Sequence, residues 1–296
     1  MDCKLPLQKT FMEGVVYEAV VGGLLGGHSG AEIHKERGNS NCLFGRLLWN
    51  VTRKIPVGLV SVKGGLADNA ISRETKAMLV LRPEDTDLFV KIVKETEKEI
   101  AEELATKDPD FFVQVKEGER GSYDCVTTEA TKKVAAFLLA LPNGVQGMSA
   151  DMPGLVETSL NMGILDQRED GVHTIFALRS SVESAKNALV QKVAAIVQMA
   201  GGSCDISGDY PGWKYRVDSP LREKMIALYE KMYGKLPKVE AIHAGLECGL
   251  LGSKITDLDC VSFGPQMRDI HTTEETMSIS SVKRSWEFIL QILAKA

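Results

Sequence analysis

Hydrophobic and polar residues alternate, or recur with helical spacing, in six consecutive segments near the start of the chain. The run FMEGVVYEAVV (11–21) alternates as a half-buried strand does, and Asn39 or Ser40 can cap the helix that follows. A longer amphipathic helix carries Leu88 and Ile92 on its apolar face. The predicted elements are a strand at 11–21, a helix at 42–53, strands at 56–62 and 77–81, a helix from 85 or 86 to 106, and a strand at 110–116. This β-α-β-β-α-β order is typical of a ferredoxin-like fold.

The pattern changes character near Pro211-Gly212, which is the best candidate for a domain boundary. Before it, the sequence predicts a helix at 127–140, two alternating strands at 154–165 and 171–181, a helix at 182–200 and a short strand in CDISGDY. After it, the sequence predicts a helix at 219–233, strands in VEAI and DCVSFG, and a helix at 278–294. The first part is therefore α+β, and the second is half of an α/β layer that needs further strands beside it.

Composition narrows the class of protein. Of the 296 residues, 44% are apolar and 25% are charged, which is ordinary for a soluble globular protein. The net charge of −5, without a dense basic block, argues against nucleic acid or an anionic membrane as a partner. No run approaches the roughly 18 apolar residues of a membrane span, and the first residues do not resemble a signal peptide. Six irregularly spaced cysteines indicate free thiols in a reducing cytoplasm.

The stretch GGHSGAEIHKERGN holds two histidines in a glycine-rich setting. His28 follows directly after a predicted strand, and the glycines allow its imidazole to project from a tight loop. A metal ligand, a catalytic acid, a substrate clamp and a plain turn are all open for it. His34 lies among charged residues, where a solvated face is the better interpretation.

A second group of reactive side chains lies in IHAGLECGL. His243 and Glu247 are four residues apart, so they would share a face if the segment were helical. They follow a predicted strand, at the sheet edge where open α/β proteins bind ligands. The alternative is a polar helix start beside a core cysteine, and Cys248 is a weak candidate for a nucleophile.

His271 follows the predicted strand DCVSF and precedes two glutamates, which suits either a metal ligand or a surface histidine at a helix start. A hydrolytic metal site usually needs at least three protein ligands. The sequence has no H-x-D, H-E-x-x-H, G-x-S-x-G, P-loop or G-x-G-x-x-G motif. The residues therefore indicate a sheet edge like that of a metal-dependent hydrolase, but with too few candidate metal ligands for a complete site.

Several ordered blocks resemble one family: GGHSGAEIHKERGN, GGLADNAISRE, LPNGV, VETSLNMG, LRSS, YPGW, IHAGLECGL and FGP followed by H-T-x-E. Together they resemble the peptidase D type of aminoacyl-histidine dipeptidase, a di-zinc exopeptidase related to carnosinases. The resemblance covers essentially the whole chain. It implies a lid domain with a ferredoxin-like sheet at 4–210 and the C-terminal segment of an α/β catalytic domain at 211–296.

The resemblance also assigns roles to individual residues. His28 matches the lid histidine that polarises the scissile carbonyl, Asn69 a lid asparagine that contacts substrate, and Arg179 an arginine that clamps the substrate carboxylate. His243 and Glu247 match a block that lines the catalytic domain, and the resemblance implies that they bind substrate. His271 matches the last of the family's metal-binding residues.

One departure from the family is large. The N-terminal catalytic half, with H-x-D, the bridging aspartate and the Glu-Glu pair, has no counterpart here. The resemblance thus implies hydrolysis of Xaa-His dipeptides by two zinc ions in a cytoplasmic homodimer formed through the lid. It also implies that this chain is inactive alone. The alternatives are a non-catalytic dimerising or binding module derived from the lid, and an enzyme completed by a second chain.

Overall fold

The computed structural model describes residues 1–241, 243, 247–268 and 274–295. These residues divide into two units, the first formed by residues 1–209 with His243 and the second by the described residues from Tyr210 to Ala241 and from Glu247 onwards. The strands of the first unit are β1 (Asp2–Leu5), β2 (Lys9–Gly22), β3 (Gly27–His28), β4 (Val57–Gly64), β5 (Ala70–Ile71), β6 (Thr75–Leu81), β7 (Phe112–Val126), β8 (Gly144–Met148), β9 (Val156–Arg168), β10 (Gly171–Ser180) and β11 (Ser203–Asp205). Its helices are α1 (Ser40–Thr52), α2 (Thr86–Leu104), α3 (Thr128–Ala140) and α4 (Glu183–Met199).

Four strands and two helices of the first unit form the expected ferredoxin-like arrangement. In chain order they run β2, α1, β4, β6, α2 and β7, and the strands lie side by side as β4-β6-β2-β7 with every pair antiparallel. A β-α-β-β-α-β chain closes in this order because each helix crosses over the neighbouring strand. The mixed α/β fold class expected from the sequence is confirmed.

The helices cover the sheet with their apolar faces. Phe44 of α1 and Phe89 of α2 are fully buried in the core that the sheet also lines. Asn39 caps α1, because its side chain accepts hydrogen bonds from two backbone N–H groups of the first turn. Thr127 caps α3, because its hydroxyl oxygen accepts a hydrogen bond from the Ala130 N–H at 3.2 Å. The cap that the sequence predicts for α1 is therefore confirmed at Asn39, whereas Asp85 at the start of α2 makes no side-chain capping hydrogen bond.

The same sheet continues beyond β4 through the second half of the unit. Its full order is β11-β1-β10-β9-β4-β6-β2-β7, and β8 also pairs with β9. The short strand β1, which the sequence pattern did not predict, lies between β10 and β11. Cys3 of β1 faces Cys204 of β11, and the two form a disulfide bond. The expectation that all six cysteines are free thiols is therefore wrong for this pair.

The second unit consists of α5 (Pro220–Tyr233), α6 (Glu247–Lys254), α7 (Ile279–Leu293) and a small ladder of β12 (Met267–Arg268) with β13 (Thr276–Met277). Its buried centre is formed by Met225, Leu228 and Phe288. The strands predicted in VEAI and DCVSFG are not strands at the described positions 239–241 and 259–264. A strand forms only where a neighbour accepts and donates its backbone hydrogen bonds, and hydrophobic pattern alone does not supply that neighbour. None of the described helices is both long enough and apolar enough to cross a membrane.

The outer face of α7 carries a row of solvent-exposed apolar side chains opposite the buried Phe288. Ile279 is 88% exposed and Trp286 is 60% exposed. The row comprises Ile279, Val282, Trp286, Leu290 and Leu293. An uninterrupted apolar row of this kind favours association.

We expect the purified chain to associate in a concentration-dependent way and the variant Trp286→Lys to associate less. Met199→Lys, which changes an exposed apolar residue of α4, is the matched control and should associate as the unchanged chain does. Sedimentation velocity over a concentration series measures both. A monomer whose α7 amides are strongly protected from hydrogen exchange would contradict this expectation.

Candidate substrate-binding site

The loop that bears His28 is held from two sides. Its short strand β3 pairs with β5, so that His28 lies opposite Ala70. Next to it, the Ser29 N–H donates to the carbonyl oxygen of Asn69 at 2.8 Å. The structure therefore brings His28 and Asn69, which are 41 positions apart in the sequence, onto adjacent segments.

Glycine is required at the turn before His28. Gly26 and Gly27 have φ values of +66° and +138°, which other residues rarely adopt. Behind them, Glu32 accepts a hydrogen bond from the His28 N–H at 3.1 Å and pairs with Lys35 at 2.6 Å. These contacts hold the pKa of Glu32 below its ordinary value, with the Lys35 hydrogen bond as the largest cause. The charged run after His28 thus fixes the loop.

The imidazole of His28 is exposed, and its tautomer follows from its hydrogen bonds. Its Nδ1 lies 3.2 Å from both the Gly30 N–H and the Ala31 N–H. Since Nδ1 accepts from both groups, the proton of the neutral ring is on Nε2. A neutral imidazole in this tautomer presents Nε2–H as a donor.

Three candidate site residues converge on Gly30. A Cβ atom at this position would lie 2.9 Å from the carbonyl oxygen of His243, 3.0 Å from Cε1 of His28 and 3.3 Å from Cζ of Arg179. Any side chain at position 30 would therefore occupy the space between these residues. Glycine at this point keeps a small volume open between two imidazole-bearing segments and a guanidinium group.

Arg179 and His243 are held on the sheet through Ser159. Arg179 of β10 pairs in register with Ser159 of β9. The buried hydroxyl of Ser159 lies 2.7 Å from Nε2 of His243. Burial and the nearby charge of Arg179 lower the pKa of His243 to about 4, although a hydrogen bond with the Val156 backbone works in the opposite direction. His243 is therefore a neutral ring beside a cation at pH 7.

Two buried polar atoms of this site have no hydrogen-bond partner within the described residues. They are the hydroxyl oxygen of Ser29, next to His28, and Nε of Arg179. A buried donor without a partner costs free energy, so such atoms are usually completed by a ligand or water. Arg179 lies beside Gly30 and Ser29 directly precedes it, which makes this region a candidate site for a small polar molecule with a negatively charged group.

Two known dipeptidases are similar to this chain over nearly all of its length, while no family model matches it. The cytosol non-specific dipeptidase of Escherichia coli (strain K12) is 31% identical over 277 residues, which are 94% of this chain and 57% of the dipeptidase. The crystal structure of aminoacylhistidine dipeptidase from Vibrio alginolyticus is also 31% identical and matches with a TM-score of 0.91, over 99% of this chain and 60% of that enzyme. This chain is a homologue of the peptidase D type dipeptidases. It spans somewhat more than half the length of the relatives it matches.

His243 and Glu247, which the sequence grouped on the condition of a helical segment, belong to different units of the structure. Glu247 is the first residue of α6 and is exposed, whereas His243 precedes that helix and belongs with the first unit. His243 is not helical, so the condition under which the two side chains would share a helical face is not met at this residue. Burial and the neighbouring Cys260 raise the pKa of Cys248, which disfavours the thiolate form that a nucleophile needs.

The metal site that the sequence resemblance implies is not found among the residues that the structure describes. His271, its expected metal ligand, lies outside these residues. Among residues 1–241, 243, 247–268 and 274–295, no group of three or more His, Cys, Asp or Glu side chains is arranged to hold a metal ion.

Sequence reasoning missed two polar residues on β9 that support the site. Ser159 and Asn161 are 2% and 1% exposed, on a strand whose neighbours are mostly apolar and buried. Buried polar side chains at alternate positions of a strand need hydrogen-bond partners. The alternate polar residues Ser159 and Asn161 in VETSLNMG were therefore a signal of such contacts. Ser159 bonds to His243, and Asn161 bonds to the backbone on either side of Asn69.

His243 is expected to titrate with a midpoint of about pH 4 in the folded chain. Its folded pKa is below the ordinary 6.5, so the unfolded state binds the proton more tightly. The stability that depends on this neutral ring is complete above pH 6.5 and is lost as the pH falls toward 4. Ring chemical shifts followed by NMR measure the midpoint. Arg179→Gln should raise it, because it removes a nearby positive charge, and a midpoint that stays in place would contradict this account.

Proposed function

We propose that this chain is the substrate-binding part of a metal-dependent dipeptidase that cleaves Xaa-His dipeptides. In this proposal residues 4–210 are the lid and residues 211–296 are the C-terminal segment of the catalytic domain. The convergence of His28, Arg179 and His243 around Gly30 is the observation that carries it. The unpartnered buried atoms of Ser29 and Arg179 support a ligand at the same point.

Each side chain of the site suits one part of a dipeptide. The guanidinium group of Arg179 binds the C-terminal carboxylate with two parallel hydrogen bonds, and Asn69 contacts the peptide. The Nε2–H of His28 donates to the carbonyl oxygen as negative charge develops on it. The neutral His243 lines the carboxylate site and adds no second positive charge. Glu247 is a further lining residue in this proposal.

We propose that hydrolysis depends on two zinc ions, of which His271 binds one. The described residues do not form a zinc site, and the sequence lacks the family's H-x-D and Glu-Glu motifs, so in this proposal a separate catalytic half supplies the remaining ligands and the general base. In hydrolases of this class, zinc activates a water molecule. A cytoplasmic location, like that in the name of the Escherichia coli relative, and a homodimer formed through the lid complete the proposal.

The chain alone is expected to hydrolyse no Xaa-His dipeptide, with or without added zinc. The motifs for the remaining metal ligands and for the general base have no counterpart in its sequence. The measurement is the release of free histidine by a sequence-verified preparation of the chain, monitored by chromatography. Zinc-dependent turnover would overturn the proposed division of the site. Activity that appears only on mixing with a separate catalytic half would support it.

A binding or dimerising module without catalysis is the second candidate. β7 lies at the end of the sheet order, pairing with β2 along its length and with β4 only at Val126. A long strand with one edge open is suited to pairing with another chain. Sedimentation equilibrium measures the oligomeric state, and calorimetric titration with a dipeptide measures binding. A stable dimer that binds no dipeptide favours the module. Dipeptide binding favours the enzyme part.

A further inference from the structure

The segment that carries Asn69 has little regular structure, so something else must hold its shape. It runs from the end of β4 at Gly64 to β5 at Ala70. The carboxamide nitrogen of Asn161 donates to the carbonyl oxygens of Asp68 at 2.8 Å and of Ala70 at 2.9 Å. These two bonds hold the backbone on both sides of Asn69, and the side chain of Asn69 itself is exposed.

The carboxamide of Asn161 has only one orientation that satisfies its surroundings. Its Oδ1 accepts from Nδ2 of Asn39 at 3.2 Å, while its nitrogen faces two carbonyl oxygens. A flipped amide would place its oxygen against the carbonyl oxygens of Asp68 and Ala70 and its nitrogen against the donor Nδ2 of Asn39. Asn39 is itself fixed, because its side chain caps α1 and donates to the carbonyl of Met162. The hydrogen bonds that orient Asn161 therefore begin at the capped N-terminus of α1.

The same contacts reach His28. Ala70, whose carbonyl accepts from Asn161, is the strand partner of His28, and Asn69 accepts from the Ser29 N–H. Two residues along β9, a Cβ on Gly163 would collide with the backbone of Ala67 and Asp68. This close approach lets the segment lie directly on β9, where the Asn161 side chain meets it.

We propose that Asn161 is a positioning residue for the candidate site. Its carboxamide sets the segment that presents Asn69 and, through the paired strands β3 and β5, sets the imidazole of His28. The roles of Asn69 and His28 rest on the proposed function, whereas the positioning itself does not. A buried asparagine that served only the stability of the fold would have no effect on His28 within the folded protein.

Asn161→Asp tests this, because it keeps the shape and replaces the two donors with a carboxylate facing two carbonyl oxygens. In NMR spectra of the full chain without ligand, we expect the Asn69 and Ala70 amide signals and the His28 ring signals to shift. We also expect the Ser29 amide to exchange faster by roughly tenfold, the factor that corresponds to one lost hydrogen bond. Asn161→Ala removes the donors without adding charge and should act in the same direction, so the test survives if the charged variant fails to fold.

Asn143→Asp is the matched control, since the hydrogen bonds given to Asn143 use its Oδ1 as an acceptor and an aspartate keeps them. It should leave the Ser29 amide and the His28 ring unchanged. Folded Asn161 variants whose His28 and Ser29 signals match those of the unchanged chain would overturn the proposal. Binding of glycyl-histidine is measured separately: if the unchanged chain does not bind it, the proposed function fails, while the NMR result still decides the role of Asn161.

Discussion

Replacing Arg179 with glutamine is expected to weaken the binding of glycyl-histidine to this chain by about 10- to 100-fold. A hydrogen bond to a charged group contributes roughly 1.5–3 kcal/mol, and every 1.4 kcal/mol corresponds to about tenfold in affinity. Arg179 suits this role because its Cζ lies close to the open volume at Gly30 and its buried Nε has no partner in the described part of the chain. Glutamine keeps much of the side chain's length but loses the charge and the paired donors. Isothermal titration calorimetry measures the change.

Two comparisons make the result specific to the carboxylate. Arg120→Gln removes the same charge from an exposed position on β7 and should leave the affinity unchanged. Glycyl-histidine amide has no carboxylate, so it should bind weakly to the unchanged chain and lose little more on Arg179→Gln. Equal losses for the free acid and the amide would show that Arg179 does not bind the carboxylate.

The sequence was sufficient for most of the first unit because its elements have strong periodicity and each finds a neighbour. The alternation in β2 and the apolar face of α2 both led to correct elements, and Asn39 and Thr127 cap helices as their residue types suggest. The sequence pattern did not predict β1, because four residues are too few to show a hydrophobic period. The predicted strands in the second unit failed for the opposite reason: they have a hydrophobic pattern but no pairing partner in the described residues.

The site was predictable only where a motif marked it. His28, Asn69 and Arg179 come from separate parts of the sequence, and only the resemblance of their ordered blocks to one family relates them to one another. Strand register places His28 opposite Ala70 and Arg179 opposite Ser159. A single sequence does not reveal this register. The supporting residues Ser159 and Asn161 act through side-chain geometry, so their importance appeared only in the folded structure.

The cysteine prediction failed because pairing across a long stretch of chain leaves no local signal. Cys3 and Cys204 are 201 positions apart and meet only because β1 and β11 lie side by side at one end of the sheet. Irregular spacing is therefore compatible with one disulfide and four free thiols, at Cys42, Cys125, Cys248 and Cys260. In the cytoplasm that we propose for this chain, the pair would be exposed to reduction.

Reducing the Cys3–Cys204 disulfide is expected to lower the free energy of unfolding of the first unit by about 5 kcal/mol, because so long a loop restricts the unfolded chain strongly. For a unit of 150–250 residues this corresponds to a fall in the melting temperature of roughly 10–20 °C. Thermal unfolding followed by circular dichroism, with and without dithiothreitol, measures it. The native fold should persist after reduction, since β1 keeps its ladder with β10.

The double variant Cys3→Ser/Cys204→Ser separates this bond from the other thiols. It should melt where the reduced chain melts, and dithiothreitol should not change its melting temperature, because the remaining cysteines form no disulfide. If the unchanged chain melts at the same temperature with and without reductant, the bond does not contribute as expected. Since the loop between the two cysteines contains nearly the whole first unit, the effect should appear in the cooperative transition of that unit rather than as local fraying of β11.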